Sequence, residues 1–197
     1  RHLALRVGRE LEKLNVPFFE EPLSIDDVDG HAFLAERLDV RIATGENMYT
    51  RWDFLPFFQK KAVHVVQADA SRCGGISEAK RIVDLAGAHH LHAVPHTFSD
   101  ALTIAANLHV VAASSNAPII EVDRTYNEIQ EKLVVNPPHV HDSVIELPSG
   151  PGLGVDIDWD FVAEHPYSGE IGIGAGSRPA FGLATEVIRD RTATSLA

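Results

Sequence analysis

Residues 63–75, Val63-His64-Val65-Val66-Gln67-Ala68-Asp69-Ala70-Ser71-Arg72-Cys73-Gly74-Gly75, hold the pattern on which the reading of this chain turns. A short, largely apolar run from Val63 to Ala68 ends on an acid, Asp69, and a glycine pair then precedes a stretch with helical periodicity, Ser77–Ala88. This is the punctuation of a buried strand, a turn and a covering helix. Gly74-Gly75 supplies a tight turn with exposed backbone amides, and Ser77 is predicted to N-cap the helix.

Working outward, the same unit recurs. Val16–Phe19 ends in Glu20, Val40–Gly45 in Glu46, Leu91–Pro95 in His96 and Pro118–Ile120 in Glu121, about 25 residues apart. Helices are predicted at His31–Leu38, Thr50–Gln59, Ser77–Ala88 and Asp100–Ala113 between these runs. Continuous rather than alternating apolar strands suit a parallel sheet covered on both faces, so the fold class is α/β. An open doubly wound sheet would concentrate its chemistry in one glycine-rich turn after the first strand. Here five successive strand ends carry Glu, Glu, Asp, His and Glu, which is how a (β/α)8-type barrel assembles a site. Five units are present and a closed barrel needs eight, so about three more, roughly 75 residues, are expected before Arg1.

Before the first run, Arg1–Leu14 reads as a helix with Leu3, Val7, Leu11 and Leu14 on one face. After Glu121 the sequence turns rich in Pro, Gly and His over Asn136–Gly154, with a short strand predicted at Val144–Leu147. The expected organisation is barrel units over 1–133, a segment over 134–167 that packs back on the barrel and its cap, and a Gly-, Ser- and Thr-rich tail over 168–197 with a short helix near Glu186–Arg189.

Composition narrows the function classes. The 197 residues are 45% hydrophobic, 7% aromatic and 23% charged, as in an ordinary folded domain. Seventeen basic against 28 acidic residues leave a formal charge of −11, with no Lys/Arg cluster to meet a nucleic-acid backbone or an anionic membrane. No run approaches the length of a membrane span, and the single cysteine, Cys73, cannot form an intrachain disulfide, which fits a reducing, cytoplasmic setting.

Phe18-Phe19-Glu20-Glu21-Pro22, Thr44-Gly45-Glu46-Asn47, Gln67-Ala68-Asp69 with Cys73-Gly74-Gly75, Val94-Pro95-His96 and Ile120-Glu121 together resemble the C-terminal half of the enolase superfamily, in its mandelate racemase subgroup. The resemblance covers about residues 1–165 and rests on five motifs in order at the right spacing. It implies strands 4–8 of a modified (β/α)7β barrel, a Mg²⁺ ion, and abstraction of the proton α to a substrate carboxylate to give a metal-stabilised enediolate. It implies Glu20 and Glu46 as metal ligands, Asp69 and His96 as the paired Asp and His of the sixth and seventh strands, and Glu121 as the acid that holds substrate or intermediate. It also implies that the third metal carboxylate, a Lys-x-Lys pair, the first three strands and an α+β capping domain lie upstream of Arg1. Glu121–Asn127 and Pro148–Gly154 are similar to subgroup members acting on sugar acids and their lactones, which implies a dehydratase, with a cycloisomerase or racemase as the alternative. The expected partners are a small carboxylate substrate and further copies of the complete enzyme. A non-catalytic fragment or assembly element is the alternative of another class.

The chemistry supports these roles on its own terms. A hard cation takes oxygen ligands, and carboxylates on neighbouring strands roughly 4.8 Å apart can share one. A proton α to a carboxylate leaves only if the charge developing on the carboxylate oxygens is met by fixed cationic partners. His96 is the natural base, and Asp69 beside it would fix its tautomer and stabilise the imidazolium. That imidazolium can then protonate a departing β-hydroxyl. Glu21 reads as a loop residue beside the ligands, His89-His90-x-His92 as structural, Gly150–Gly154 as turns and Cys73 as packing.

Overall fold

Four short parallel strands follow one another side by side in the computed structural model, which describes residues 1–98 and 100–166. The elements are α1 (His2–Lys13), β1 (Phe19–Glu20), α2 (Val28–Arg37), β2 (Ile42–Thr44), α3 (Arg51–Gln59), β3 (Val65–Val66), α4 (Ile76–Ala88), β4 (His92–Ala93), α5 (Ala101–Ala112), α6 (Glu128–Lys132), β5 (Val140–His141), β6 (Val144–Ile145) and α7 (Trp159–Glu164). The register Phe19–Ile42, Ala43–Val65 and Val65–His92 puts all four C-terminal ends at one edge. Sequential parallel strands with a helix in every crossover form a portion of an α/β barrel wall. The chain divides into two compact units after Asp158.

Both faces of the central strands β2 and β3 are buried, which explains their uninterrupted apolar runs. On one face Val66 and Ala93 join Phe54, Phe57 and Phe58 of α3, Ile82 and Val83 of α4, and Val110 of α5. Ala43, Val65 and Val94, with Phe18, form a separate layer. A third cluster sets Ile42 and Val40 against Leu34 and Leu38. Truncating a fully buried member such as Phe54 would cost about 3–5 kcal/mol.

Helix α2 starts three residues earlier than predicted because Asp27 accepts from the Gly30 N–H at 2.9 Å and caps it. Ser77 is not the cap of α4; that place falls to Gly75, at φ +89°, with Ser77 inside the first turn. Helix α3 receives its cap from afar: Glu78 of α4 accepts from the Arg51 N–H at 3.0 Å and from the Arg51 guanidinium at 2.8 Å through both oxygens. In α1 the predicted Leu face is not the buried one. Leu3 and Leu14 are largely exposed, and the helix instead buries Ala4 and Gly8. Gly8 leaves room for Leu38, whose Cδ1 would stand 2.3 Å from a Cβ there.

Pro118–Ile120, predicted as the fifth strand, is in no strand of the described residues. The contact begins, with Ala93 N–H donating to the Asn116 carbonyl at 2.9 Å, and then meets Pro118, which has no N–H to continue a ladder. The strand predicted at Val144–Leu147 is β6, paired antiparallel with β5 in a hairpin that the sequence reading did not anticipate. An antiparallel bridge between Val134 and Ile157 closes the segment containing it. The predicted tail, 168–197, with its helix near Glu186–Arg189, lies outside the described residues. Among the described residues no helix is long and apolar enough to cross a membrane.

Candidate active site

Glu20, Glu46, His96 and Glu121 line one cavity of about 420 Å³ at the C-terminal edge of the sheet, with Phe98 and Arg124 also in its wall. Asp69 stands behind His96. Glu20, Glu46, Asp69 and His96 arrive there because each closes its apolar run and the strands share one direction, whereas Glu121 reaches the cavity from an unpaired segment held by Thr97.

His96 is held from two sides. Its Nδ1 lies 3.0 Å from Asp69 Oδ2 and its Nε2 lies 3.2 Å from Glu46 Oε2. Asp69 is 2% exposed, and its other oxygen accepts from the Ser71 N–H at 2.8 Å, the Ser71 hydroxyl at 2.7 Å and the Asn107 amide at 3.3 Å. Burial alone would raise the Asp69 carboxyl, but the hydrogen bonds from His96, Ser71 and Asn107 outweigh it and hold the group below the usual carboxylate range. Asp69 is therefore an anion at neutral pH. The same hydrogen bond raises His96, against desolvation and with help from Glu46. With Nδ1–H directed at the Asp69 anion, Nε2 is the basic nitrogen that faces the cavity.

The carboxylates opposite are in a different state. Burial pushes Glu20 up, and the nearby Glu46 pushes it further. Burial also raises Glu121, with Glu20 adding to the effect, and Glu121 Oε2 is buried without a hydrogen-bond partner. Gln67 is fully buried beside them; its amide partly offsets both shifts although neither of its side-chain polar atoms makes a close hydrogen bond. Glu46 is steered by Asn47, whose amide donates to Glu46 Oε1 at 3.1 Å and to Glu21 Oε2 at 3.0 Å. Glu21 also accepts from the Thr44 hydroxyl at 3.2 Å and adopts φ +38°, a strained value for a non-glycine residue at the turn out of β1. Gly45 lets the end of β2 pass close to β3, since a Cβ there would lie 2.7 Å from Phe54 and 3.0 Å from the Gln67 backbone.

Among the described residues no three His, Cys, Asp or Glu side chains are grouped so as to hold a metal ion by themselves. Glu20 and Glu46 nonetheless fit a hard dication as two of its oxygen donors: they come from adjacent strands, and the mutual repulsion that raises Glu20 is what a cation between them would relieve. The His89–His92 group forms no such cluster; the His89 ring packs on Phe58 at 5.4 Å and His90 turns the chain at φ +61°. Cys73 is buried, its thiol pushed up to about 12 by burial and by Asp69 and Glu78, so it packs and does not react. Gly152 and Gly154 have positive φ in tight turns.

Sequence reasoning missed Asn107, and assigned no role to Asn47, Gln67 or Thr97. Thr97, almost wholly buried, donates its hydroxyl to the Glu121 carbonyl and ties the loop after β4 to the Glu121 segment. The available signal for Asn107 was an amide in the largely apolar helix Ala101–Ala112, whose other polar residues are Thr103 and His109.

Known proteins with similar sequences are sugar-acid enzymes. Arabinonate dehydratase of Saccharolobus solfataricus is 40% identical over 154 residues, 78% of this chain and 41% of the relative. D-galactarolactone cycloisomerase of Agrobacterium fabrum is 31% identical over 169 residues, 82% of this chain and 45% of the relative. A crystal structure from Bordetella bronchiseptica RB50, of a protein provisionally named a mandelate racemase, superposes with a TM-score of 0.84 at 49% identity over 89% of this chain and 45% of that one. The chain thus spans less than half the length of these relatives. With an enolase C-terminal domain-like family model matching residues 1–161 and the acidic mouth built as described, the chain belongs to that family of the enolase superfamily.

Proposed function

We propose that this chain supplies the base-bearing half of a Mg²⁺-dependent enzyme that removes the proton α to the carboxylate of a sugar acid and dehydrates it. The observation that carries this reading is His96, its Nδ1 on Asp69 and its Nε2 at a cavity walled by Glu20, Glu46 and Glu121. Support for the substrate class comes from the dehydratase and cycloisomerase relatives. Glu20 and Glu46 would hold the Mg²⁺, whose contribution is to draw electron density from the substrate carboxylate and so acidify its α-proton. The third carboxylate and the lysine pair of the sequence reading would come from residues upstream.

His96 Nε2 takes the α-proton, the C–H electron pair forms a C=C bond, and the β-hydroxyl leaves with the proton that His96 returns, as water. The product is an enol that rearranges to a 2-oxo-3-deoxy acid. Asp69 holds the ring in the required tautomer and balances the transient imidazolium. Glu121 lines the same cavity, its carboxyl raised by burial, and would help hold the substrate or intermediate. Cycloisomerisation of a sugar lactone would begin with the same α-proton step, and the 31% identity with D-galactarolactone cycloisomerase supports it as the second reading. The test is product analysis with the full-length protein, a panel of aldonates and aldarates, and Mg²⁺. A 2-oxo-3-deoxy acid formed by wild type and not by His96→Asn is expected; no product from any sugar acid or lactone would overturn the reading.

A further inference from the structure

The side chain that ties Asp69 to His96 lies on neither of their strands. Asn107 projects from α5 and is 0% exposed, amid Ala, Leu, Ile and Val. Its Oδ1 accepts from the Ala70 N–H at 3.0 Å, and its Nδ2 donates to the His96 carbonyl at 2.9 Å and to Asp69 Oδ1 at 3.3 Å. One amide thus joins the loop after β3, the loop after β4 and the catalytic carboxylate. Because Oδ1 must face the Ala70 N–H, the amide cannot be flipped, and both donors are committed to the Asp69–His96 side.

We propose that Asn107 is a positioning residue that sets the spacing and orientation of the Asp69–His96 pair. An amide buried in an apolar helix is costly unless its hydrogen bonds are made, and a leucine would fill the same space without that cost. The bonds fall where a general base needs them. Asn107 and Ser71 load Asp69 Oδ1 with three hydrogen bonds, which leaves Oδ2 to His96 Nδ1. The bond to the His96 carbonyl fixes the backbone from which the ring hangs. Asn107 lines no part of the cavity and reaches His96 only through its backbone carbonyl, so its removal should misalign the base and leave substrate binding alone.

This inference rests on the reading of His96 as the base, and the experiment separates the two. Asn107→Leu, which removes all three bonds, and the isosteric Asn107→Asp, which keeps the acceptor but sets a second acid against Asp69, are made in the full-length protein. Melting temperature, kcat and KM for the sugar acid turned over by wild type, and the imidazole ¹H–¹⁵N spectrum of His96 are measured. With folding retained, kcat should fall roughly 10- to 100-fold while KM stays within about twofold. The slowly exchanging Nδ1–H signal of His96 in wild type should exchange faster or vanish in both variants. Unchanged kcat, or a loss carried by KM, would overturn the proposal, as would an unaltered His96 spectrum. If wild type turns over no sugar acid, the functional reading falls, and the His96 spectrum alone still decides the role of Asn107. If Asn107→Leu fails to fold, Asn107→Asp decides it.

Discussion

The two sides of the candidate site are built to different standards of polar satisfaction. On the Asp69–His96 side the polar groups are matched: Asp69 receives four hydrogen bonds, and Asn107 spends both donors and its acceptor. On the Glu20–Glu121 side, Glu121 Oε2 and both polar atoms of the Gln67 amide are buried without a hydrogen bond, and burial drives both carboxyls up. Native interiors pair their polar groups, and the exceptions ask for an account. On the proposed function, the satisfied side would hold a base in a fixed pose, whereas the unsatisfied side would take partners that are not protein: a dication at Glu20 and Glu46, a substrate carboxylate at Glu121.

The sharpest way to break this contrast is at the base. His96→Asn in the full-length protein should lower turnover by roughly 10²- to 10⁴-fold and leave Mg²⁺ affinity nearly intact, because the ring does chemistry and no coordination. Isothermal titration with Mg²⁺ beside the kinetics checks both halves, and lost metal affinity would mean that the two sides are not separable. Asp69→Asn should give a comparable or smaller loss, since it misorients the base without removing it. On the other side the pattern should invert. Glu46→Gln should weaken Mg²⁺ on the order of 100-fold by removing a charged ligand, with little change in thermal stability of the metal-free protein, where that charge repels Glu20 and Glu121 but attracts His96.

Smaller, and of opposite sign on the two sides, are the effects of pH on metal-free stability. Asp69 is held below its unfolded value of about 3.9, so the stability it contributes is fully present above that pH and is lost as pH falls through the lower folded value. Glu121 is raised, so the folded state binds the extra proton and stability declines as pH climbs through the folded value. Thermal melts should therefore show Asp69→Asn weakened at neutral pH and converging with wild type in acid. Glu121→Gln should be stabilised at neutral pH, with its advantage vanishing below the unfolded glutamate value. Parallel pH curves for the two variants would erase the contrast.

How far the sequence discloses this arrangement follows from the range of the interactions. Strand ends are local: an apolar run closed by Glu20, Glu46, Asp69 or His96 marks both the strand and the candidate side chain, and parallel pairing then gathers them without further information. The failures are all matters of context. Whether Pro118–Ile120 pairs depends on a missing N–H set against a particular neighbour. The buried face of α1 was decided by Gly8 making room for Leu38, not by the more obvious leucines. Asn107 is 38 residues from Asp69 and 11 from His96, and its α5 pattern reads as plain core. Spacing alone gives a polar residue no partner at that distance; only the packing of α5 across two loops does.

The central claim is that the cavity at His96 takes a proton from the carbon next to a carboxylate. The most direct measurement gives the full-length protein a sugar acid carrying deuterium at C2, with Mg²⁺ or with a chelator, and compares kcat/KM with that of the protiated acid. The account predicts Mg²⁺-dependent turnover with a primary isotope effect, and no turnover in His96→Asn. No isotope effect on kcat/KM, or turnover that survives in His96→Asn, would contradict it.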